Sequence, residues 1–193
     1  QLALKGIMPS LGMNSLLKTG KPMPVNSFNQ AISINNVNEQ TEFYSQANRR
    51  FLAQLKRDSA EPDIFERLIK VHDQKLSYCL VNGAEQAKIA LTEANEAIIA
   101  LDEIDEQLSV EVSRGLMLES SSSQLKQISQ MMSEAVKQAG CQPDVVFVTG
   151  GTAKSPVLND YLTAQMPGIP LVIGDHFGSV TVGLARWANR IFT

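Results

Sequence analysis

The sequence predicts a mixed α/β fold that is mainly helical in its first two thirds. Two observations lead to this expectation. Beyond Gly140, apolar runs at 144–149 and 169–173 alternate with helical patterns at 155–165 and 178–192, as in an α/β unit. Before Gly140, apolar residues recur mostly at three- and four-residue spacing, which indicates amphipathic helices.

The composition is that of a globular protein. The 193 residues are 44% hydrophobic and 19% charged, with no apolar run near the ~20 residues that a membrane span needs. The net charge of −3 argues against a nucleic-acid-binding surface. Cys79 and Cys141 form no Cys-x-x-Cys pattern, and neither His72 nor His176 has ligand-like neighbours. We therefore expect a cytoplasmic protein without a signal peptide, a disulfide or a structural metal.

Apolar spacing predicts the helices of the first section. We expect a short helix over 2–13 and a loop over 20–38 that is rich in Gly, Pro, Ser and Asn. A helix from Thr41 should stop before Pro62, and a long helix should follow over 63–91.

Two short strands are predicted next, at 97–101 and 108–113. The serine run at 120–123 is expected to mark a helix start or a loop, and the helix after it should end at Gly140. The apolar pattern begins at Leu2 with no capping residue before it, so we expect a piece of a longer chain.

The most informative segment is a glycine pair between a predicted buried strand and a predicted helix. Gly150 and Gly151 follow the apolar run at 145–149, and Ser155 and Pro156 begin the helix. One interpretation is a nucleotide lying across the turn, because glycine lets the backbone approach a ligand. The other is a tight turn that needs a positive φ. The Ser155 hydroxyl is expected to cap the helix by accepting from a free N–H.

Two further groups have competing interpretations. Glu85, Lys88 and Thr92 fall on one face of a helix, either as a polar site or as a surface ion pair with a helix-end threonine. The apolar stripe of the last helix contains Trp187, which we expect in the core rather than as a stacking platform for a ligand.

Three segments together resemble a known family. The run VVFVTGGTAKSP at 145–156 resembles the adenosine motif of the actin-like ATPase superfamily, in the form found in seventy-kilodalton heat-shock chaperones of the DnaK type. The run AEQAKIALT at 84–92 resembles the helix with which that family grips the base, and GSVTVGLA at 178–185 is similar to its last connecting helix. The ending of the chain looks especially like the bacterial YegD-type chaperones. The likeness extends from about Leu68 onward.

On this resemblance, the fold is the second lobe of an actin-like, ribonuclease H-like ATPase. Residues 1–40 would form an opening helix and loop of its α/β part, and residues 41–118 a helical insertion with a small β element. Residues 119–193 would form the C-terminal α/β part with the adenosine motif.

The resemblance also implies where ATP or ADP binds. Gly150, Gly151 and Thr152 would contact the ribose and the α-phosphate side of the nucleotide. Lys154 stands where the chaperones usually carry an arginine beside the adenine.

The helical insertion would supply the other contacts. Glu85, Lys88 and Thr92 would contact the ribose and the base. Ile89 replaces an arginine that stacks on the base in the family, a contact worth about 0.5–2 kcal/mol.

The family's catalytic groups, and with them its Mg²⁺ ligands, belong to the other lobe, so the resemblance implies ATP hydrolysis only in the intact protein. Implied partners are nucleotide, client proteins and co-chaperones, but neither nucleic acid nor membrane. Two alternatives stay open. One is a degenerate ATPase-like scaffold that acts as a protein-interaction module, suggested by Ile89 and Lys154. The other is a sugar- or acetate-kinase-type member, against which the long helical insertion argues.

Overall fold

The computed structural model describes residues 1–174 and 178–192. The fold is mixed α/β and mostly helical, with small sheets. It divides into two compact units, Gln1–Ser120 and Ser121–Thr193. The first unit therefore includes residues 1–40, whose assignment to the α/β part of a lobe stays a prediction.

The described residues form eight α-helices and four strands. The helices are α1 (Asn26–Ile32), α2 (Val37–Phe43), α3 (Gln46–Asp58), α4 (Pro62–Asp73), α5 (Ser77–Ala90), α6 (Arg114–Ala139), α7 (Pro156–Gln165) and α8 (Gly178–Phe192). The strands are β1 (Glu96–Ala100), β2 (Ser109–Ser113), β3 (Val146–Val148) and β4 (Leu171–Ile173).

The predicted opening helix is present but is not a regular α-helix. A π-helical turn over Ala3–Ile7 passes directly into a 3₁₀ turn over Met8–Leu11. Gly12 ends it with a φ of +96°, a conformation that glycine adopts without steric cost. Ile7, Met8 and Leu11 are fully buried, so the segment belongs to the core of the first unit.

The loop predicted over 20–38 was wrong, because α1 lies inside it. Phe28 of α1 is fully buried and meets the ring of Phe65 edge-on, with ring centroids 5.9 Å apart. This aromatic contact stabilises the short helix against the loop-forming composition around it. The helix expected from Thr41 also begins earlier, as α2, and breaks at Ser45, whose hydroxyl accepts from the N–H of Asn48 to cap α3.

The single long helix predicted over 63–91 was also wrong. α4 and α5 are separated by a turn in which Lys75 has a φ of +58°. The N–H of Leu76 donates to the carbonyl of Val71 across 2.9 Å, so the turn satisfies carbonyls at the end of α4. The hydroxyl of Tyr44 then donates to Ser77 Oγ across 2.6 Å at the start of α5.

The two predicted strands of the first unit are confirmed. β1 and β2 pair antiparallel, and their inner face buries Ile99 and Val112. The serine run at 120–123 lies within α6 and marks neither a helix start nor a loop. Ser120 donates back to the carbonyl of Met117, which lets a helix carry the hydroxyl. As predicted, α6 ends at Gly140, whose φ is +68°.

In the second unit the predicted alternation of strands and helices is confirmed. β3 and β4 are parallel and connected through α7, which is a β-α-β unit. The expectation of a buried strand was wrong, because Phe147 at the centre of β3 is 60% exposed. The sheet of β3 and β4 has two strands, and the described residues leave one of its faces open.

Trp187 was likewise wrongly placed in the core. It is 59% exposed on α8, with Leu184 and Ile191 of the same stripe also exposed. Among the described residues, no other element covers this face of the helix. In the ranges that the structure describes, no helix combines the length and the apolar character that crossing a bilayer requires.

Candidate functional site

The glycine turn between β3 and α7 has two different glycines. Gly150 has φ +97° and ψ 170°, a region of backbone space that essentially only glycine enters. Gly151 begins a 3₁₀ turn over Gly151–Lys154 and has no such constraint. Apart from its chain neighbours, a Cβ added at either position would have no atom of the described residues within 4 Å. Backbone conformation therefore requires glycine at position 150. It does not require glycine at position 151, where the missing side chain leaves open space beside the chain.

Two hydrogen bonds hold the backbone of the turn in place. The N–H of Ala153 donates to the carbonyl of Gly150 across 3.0 Å, and Ala153 is only 1% exposed. Asn159 donates from Nδ2 to the carbonyl of Ala153 across 2.9 Å and so ties the first turns of α7 to the 3₁₀ turn. Thr152 and Lys154 are exposed on the outer side of the turn. A ligand lying on the turn would find a fixed backbone, one hydroxyl and one cation.

The cap predicted for Ser155 was wrong. Ser155 has the extended backbone of an N-cap, but its hydroxyl accepts no bond from the helix. The side chain is 5% exposed, and its Oγ has no partner among the described residues. Asn159 Oδ1 is buried and unpartnered as well. Both atoms therefore have unused hydrogen-bonding capacity.

The second predicted group lies at the C-terminal end of α5. Glu85, Lys88 and Ile89 are exposed, and Ile89 is 54% exposed although it is apolar. Thr92 follows the helix, and its hydroxyl donates to the carbonyl of Ile89 across 2.7 Å, so the helix-end threonine is confirmed. The ion pair between Glu85 and Lys88 that the alternative interpretation predicts does not occur among the described residues.

Sequence reasoning missed the residue that fixes this end of α5. Arg114 donates from Nε to the carbonyl of Leu91 across 2.8 Å and from Nη2 to the carbonyl of Thr92 across 2.9 Å. A guanidinium at the C-terminus of a helix satisfies free carbonyls and is favoured by the helix dipole. The sequence signal is weak, since Arg114 stands far along the chain from both acceptors.

The two groups belong to different compact units. Gly150, Gly151, Thr152 and Lys154 share one turn of the second unit. Glu85, Lys88 and Ile89 are exposed on α5 of the first unit, and Thr92 follows that helix and is half-buried. That the two groups bind one ligand together stays a prediction.

Titratable groups with shifted pKa values lie elsewhere. Partial burial acts to raise the pKa of the Asp73 carboxyl, but hydrogen bonds and positive charge from Arg49 and His72 outweigh it and lower the pKa. Burial raises the pKa of the Cys79 thiol, and the neighbouring Glu103 carboxylate raises it further. Neither the Asp73 group nor the Cys79 group includes a predicted site residue. Both cysteines are free thiols.

A charged cavity of about 570 Å³ also lies in the first unit, lined by α3, α4 and the hairpin loop after β1. Its charges are largely paired with one another, as in Lys56 with Glu66 at 2.7 Å and Arg67 with Asp105 at 2.9 Å. Over the described part of the chain, no three His, Cys, Asp or Glu residues are grouped so that they could hold a metal ion. No protein-family model matches the chain.

Proposed function

We propose that this chain is part of the nucleotide-binding lobe of a cytoplasmic, actin-like ATPase related to the DnaK-type chaperones. The observation that carries the proposal is the open space at Gly151. Neither backbone conformation nor packing among the described residues requires glycine there. A ligand that approaches the main chain closely would require it.

In this proposal the turn binds the ribose and the α-phosphate side of ATP or ADP. Gly150 and Gly151 let the nucleotide lie against the backbone, and Thr152 contributes a hydroxyl. Lys154 is exposed and carries a positive charge beside the same turn, which suits a phosphate or a ring face. Asn159 is a positioning residue, because it acts through the carbonyl of Ala153.

The end of α5 binds the ribose and base in the same proposal. Glu85 offers a hydrogen-bond acceptor and Lys88 a donor. Neither side chain forms an ion pair with another described residue. The exposed side chain of Ile89 packs against the base in place of a guanidinium. The loss of that stack should weaken binding rather than abolish it.

Hydrolysis is assigned to the intact protein. Phosphoryl transfer depends on positioning and on charge neutralisation by metal ions and cationic groups. The proposal places Mg²⁺ and the catalytic groups in the other lobe, so this chain binds and orients the nucleotide. Client proteins and co-chaperones would be partners of the whole protein.

One observation favours a second candidate, an ATPase-like scaffold that has lost nucleotide binding. Ile89 is an exposed apolar side chain on the face assigned to the base. Exposed apolar residues also mark protein contacts. On this alternative, α5 binds a protein rather than a purine.

Calorimetric titration of the intact protein with ATP and ADP separates the candidates. We expect saturable heat from the wild type and at least a tenfold weaker affinity for Gly151→Val, about 1.4 kcal/mol. Gly183→Val is the matched control, since a Cβ at Gly183 also meets no described atom within 4 Å beyond its chain neighbours and the backbone of its own helix. It should bind as the wild type does.

Two outcomes would contradict the proposal. Absence of heat from the wild type would favour the scaffold. Equal affinities of wild type and Gly151→Val would remove the role given to the turn.

A further inference from the structure

The outer edge of β1 offers unused backbone hydrogen-bonding groups. The backbone N–H of Leu101 donates to the carbonyl of Leu108, and the backbone N–H of Arg114 donates to the carbonyl of Asn95. With this register, the odd-numbered residues of β1 are the ones whose backbone groups bond to β2. The N–H and C=O groups of Glu96, Ile98 and Ala100 therefore point away from β2. No bond to them is found among the described residues.

A shallow groove of about 340 Å³ runs beside this edge. One wall is α5 and the other is β1, and small side chains leave the room between them. Gly83, Ala87 and Ala90 line the helix side, and Ala100 lines the strand side. Ile98 stands at the edge and is 74% exposed, so an apolar surface adjoins the free backbone groups.

The hairpin that borders the groove is strongly acidic. Residues 93–111 contain seven acidic residues and no Lys or Arg. Asp105 forms an ion pair with Arg67 at 2.9 Å. Glu96 and Glu111 are exposed beside Ile98, and Glu111 is its cross-strand neighbour.

We propose that the outer edge of β1 is a docking site for an extended, basic polypeptide segment that adds to the hairpin as a third strand. Edge strands with unpaired backbone groups bind extended peptides in this way. Charge complementarity selects the occupant: a second copy of this chain, paired edge to edge, would bring acidic side chains against acidic side chains.

The pleat of the sheet sets the sequence pattern of the occupant. Alternate side chains of an added strand point to opposite faces. Those on the outer face lie beside Glu96 and Ile98 and should be Lys or Arg. Those on the inner face lie over Ala87 and Ala90 of α5 and should be apolar and of modest size. The site therefore takes a segment in which basic and apolar residues alternate.

The test uses a fluorescein-labelled heptapeptide of alternating lysine and valine, titrated with the full chain and followed by anisotropy. We expect saturable binding that weakens as salt is raised, because exposed charges are screened. A peptide with glutamate in place of lysine should not bind. The lysine peptide with methylated backbone nitrogens should also fail, because it cannot donate to the strand edge.

Two sets of variants locate the site. Ile98→Pro removes the outward N–H without breaking the ladder to β2, and it should weaken binding at least tenfold relative to Ile98→Ala. Glu96→Lys combined with Glu111→Lys should weaken binding at least tenfold without altering the backbone. The charge-matched control changes the exposed Glu42 and Glu134 to lysine and should bind within threefold of the wild type.

Amide hydrogen exchange gives an independent readout. The outward amides of Ile98 and Ala100 should exchange fast in the free chain and slowly with the lysine–valine peptide bound. Equal binding by the wild type and by the Glu96 and Glu111 double variant would overturn the proposal. So would protection confined to other residues, or self-association of the chain through β1.

Discussion

Asn159 donates a hydrogen bond from Nδ2 to the backbone carbonyl of Ala153 across 2.9 Å. Its own N–H donates to the carbonyl of Ser155 across 3.1 Å, so the residue belongs to the first turns of α7. The shape of the turn after Gly150 and Gly151 thus depends on a helix side chain. This couples the packing of α7 to the proposed nucleotide contact.

Replacement of that side chain should loosen the turn. We expect Asn159→Ala to lower the free energy of unfolding by about 0.5–1.5 kcal/mol, the usual net value of one hydrogen bond. Nucleotide affinity of the intact protein should fall with it. Urea unfolding and calorimetric titration measure the two effects. Asp160→Ala, on the same helix and exposed, is the control and should change neither.

The two glycines of the turn should respond differently to alanine. Gly150→Ala places a Cβ in a conformation with φ +97° and should cost about 1–3 kcal/mol of stability. Gly151→Ala should alter stability by less than about 0.5 kcal/mol, as for an open surface position. Equal losses for the two variants in urea unfolding would show that packing, rather than backbone conformation, governs the turn.

A second pair of glycines, Gly83 and Gly115, tests the close approach of α5 to β1. A Cβ at Gly83 would lie 2.8 Å from Cγ2 of the buried Ile99. Overpacking of this kind costs about 1–3 kcal/mol, against a helix-propensity gain of up to about 1 kcal/mol. Gly83→Ala should therefore be destabilising.

Gly115→Ala is the matched control in the same unit, where the nearest side-chain atom, Ser113 Oγ, is 3.6 Å from the added Cβ. It should be neutral or stabilising. If Gly83→Ala proved as stable as Gly115→Ala in urea unfolding, the contact between α5 and β1 would be looser than the 2.8 Å approach to Ile99 indicates.

Asp73 should make stability depend on pH in a defined direction. Arg49 donates to its carboxylate across 2.6 Å and lowers its pKa in the folded state together with His72. A group with a lowered folded pKa stabilises the fold above its unfolded pKa, about 4, and loses that effect as pH falls through the folded pKa. Because Asp73 is partly exposed, the effect should stay below about 1 kcal/mol.

We therefore expect Asp73→Asn to be less stable than the wild type at pH 7. The difference should shrink as pH falls below about 4. Urea unfolding at a series of pH values measures it. A difference that stayed the same from pH 7 down to about pH 3 would contradict the stabilising role given to the Asp73 carboxylate.

The second unit could be predicted because its signals are local. Runs of β-branched residues indicate β3 and β4, and Gly150 and Pro156 mark the turn and the helix start within a few residues of each other. The exposure of Phe147 and Trp187 could not be predicted this way. An apolar pattern says which face can be buried, but not whether another element covers it.

The first unit was harder because its decisive features are tertiary. Lys75 adopts a positive φ without being glycine, so nothing in the sequence marks the break between α4 and α5. Phe28 lies in a segment with loop composition and becomes helical through its contact with Phe65. Arg114 bonds the carbonyls of Leu91 and Thr92 across more than twenty positions of sequence.

The two thiols differ in a way that has a practical use. Cys141 is exposed just after α6, whereas Cys79 is half-buried on α5 with a raised pKa. Since the thiolate is the reactive form, a maleimide at neutral pH should alkylate Cys141 well before Cys79. A nitroxide or heavy-atom reagent can therefore be attached at one chosen position of the unaltered sequence, as a spectroscopic reporter placed between α6 and β3.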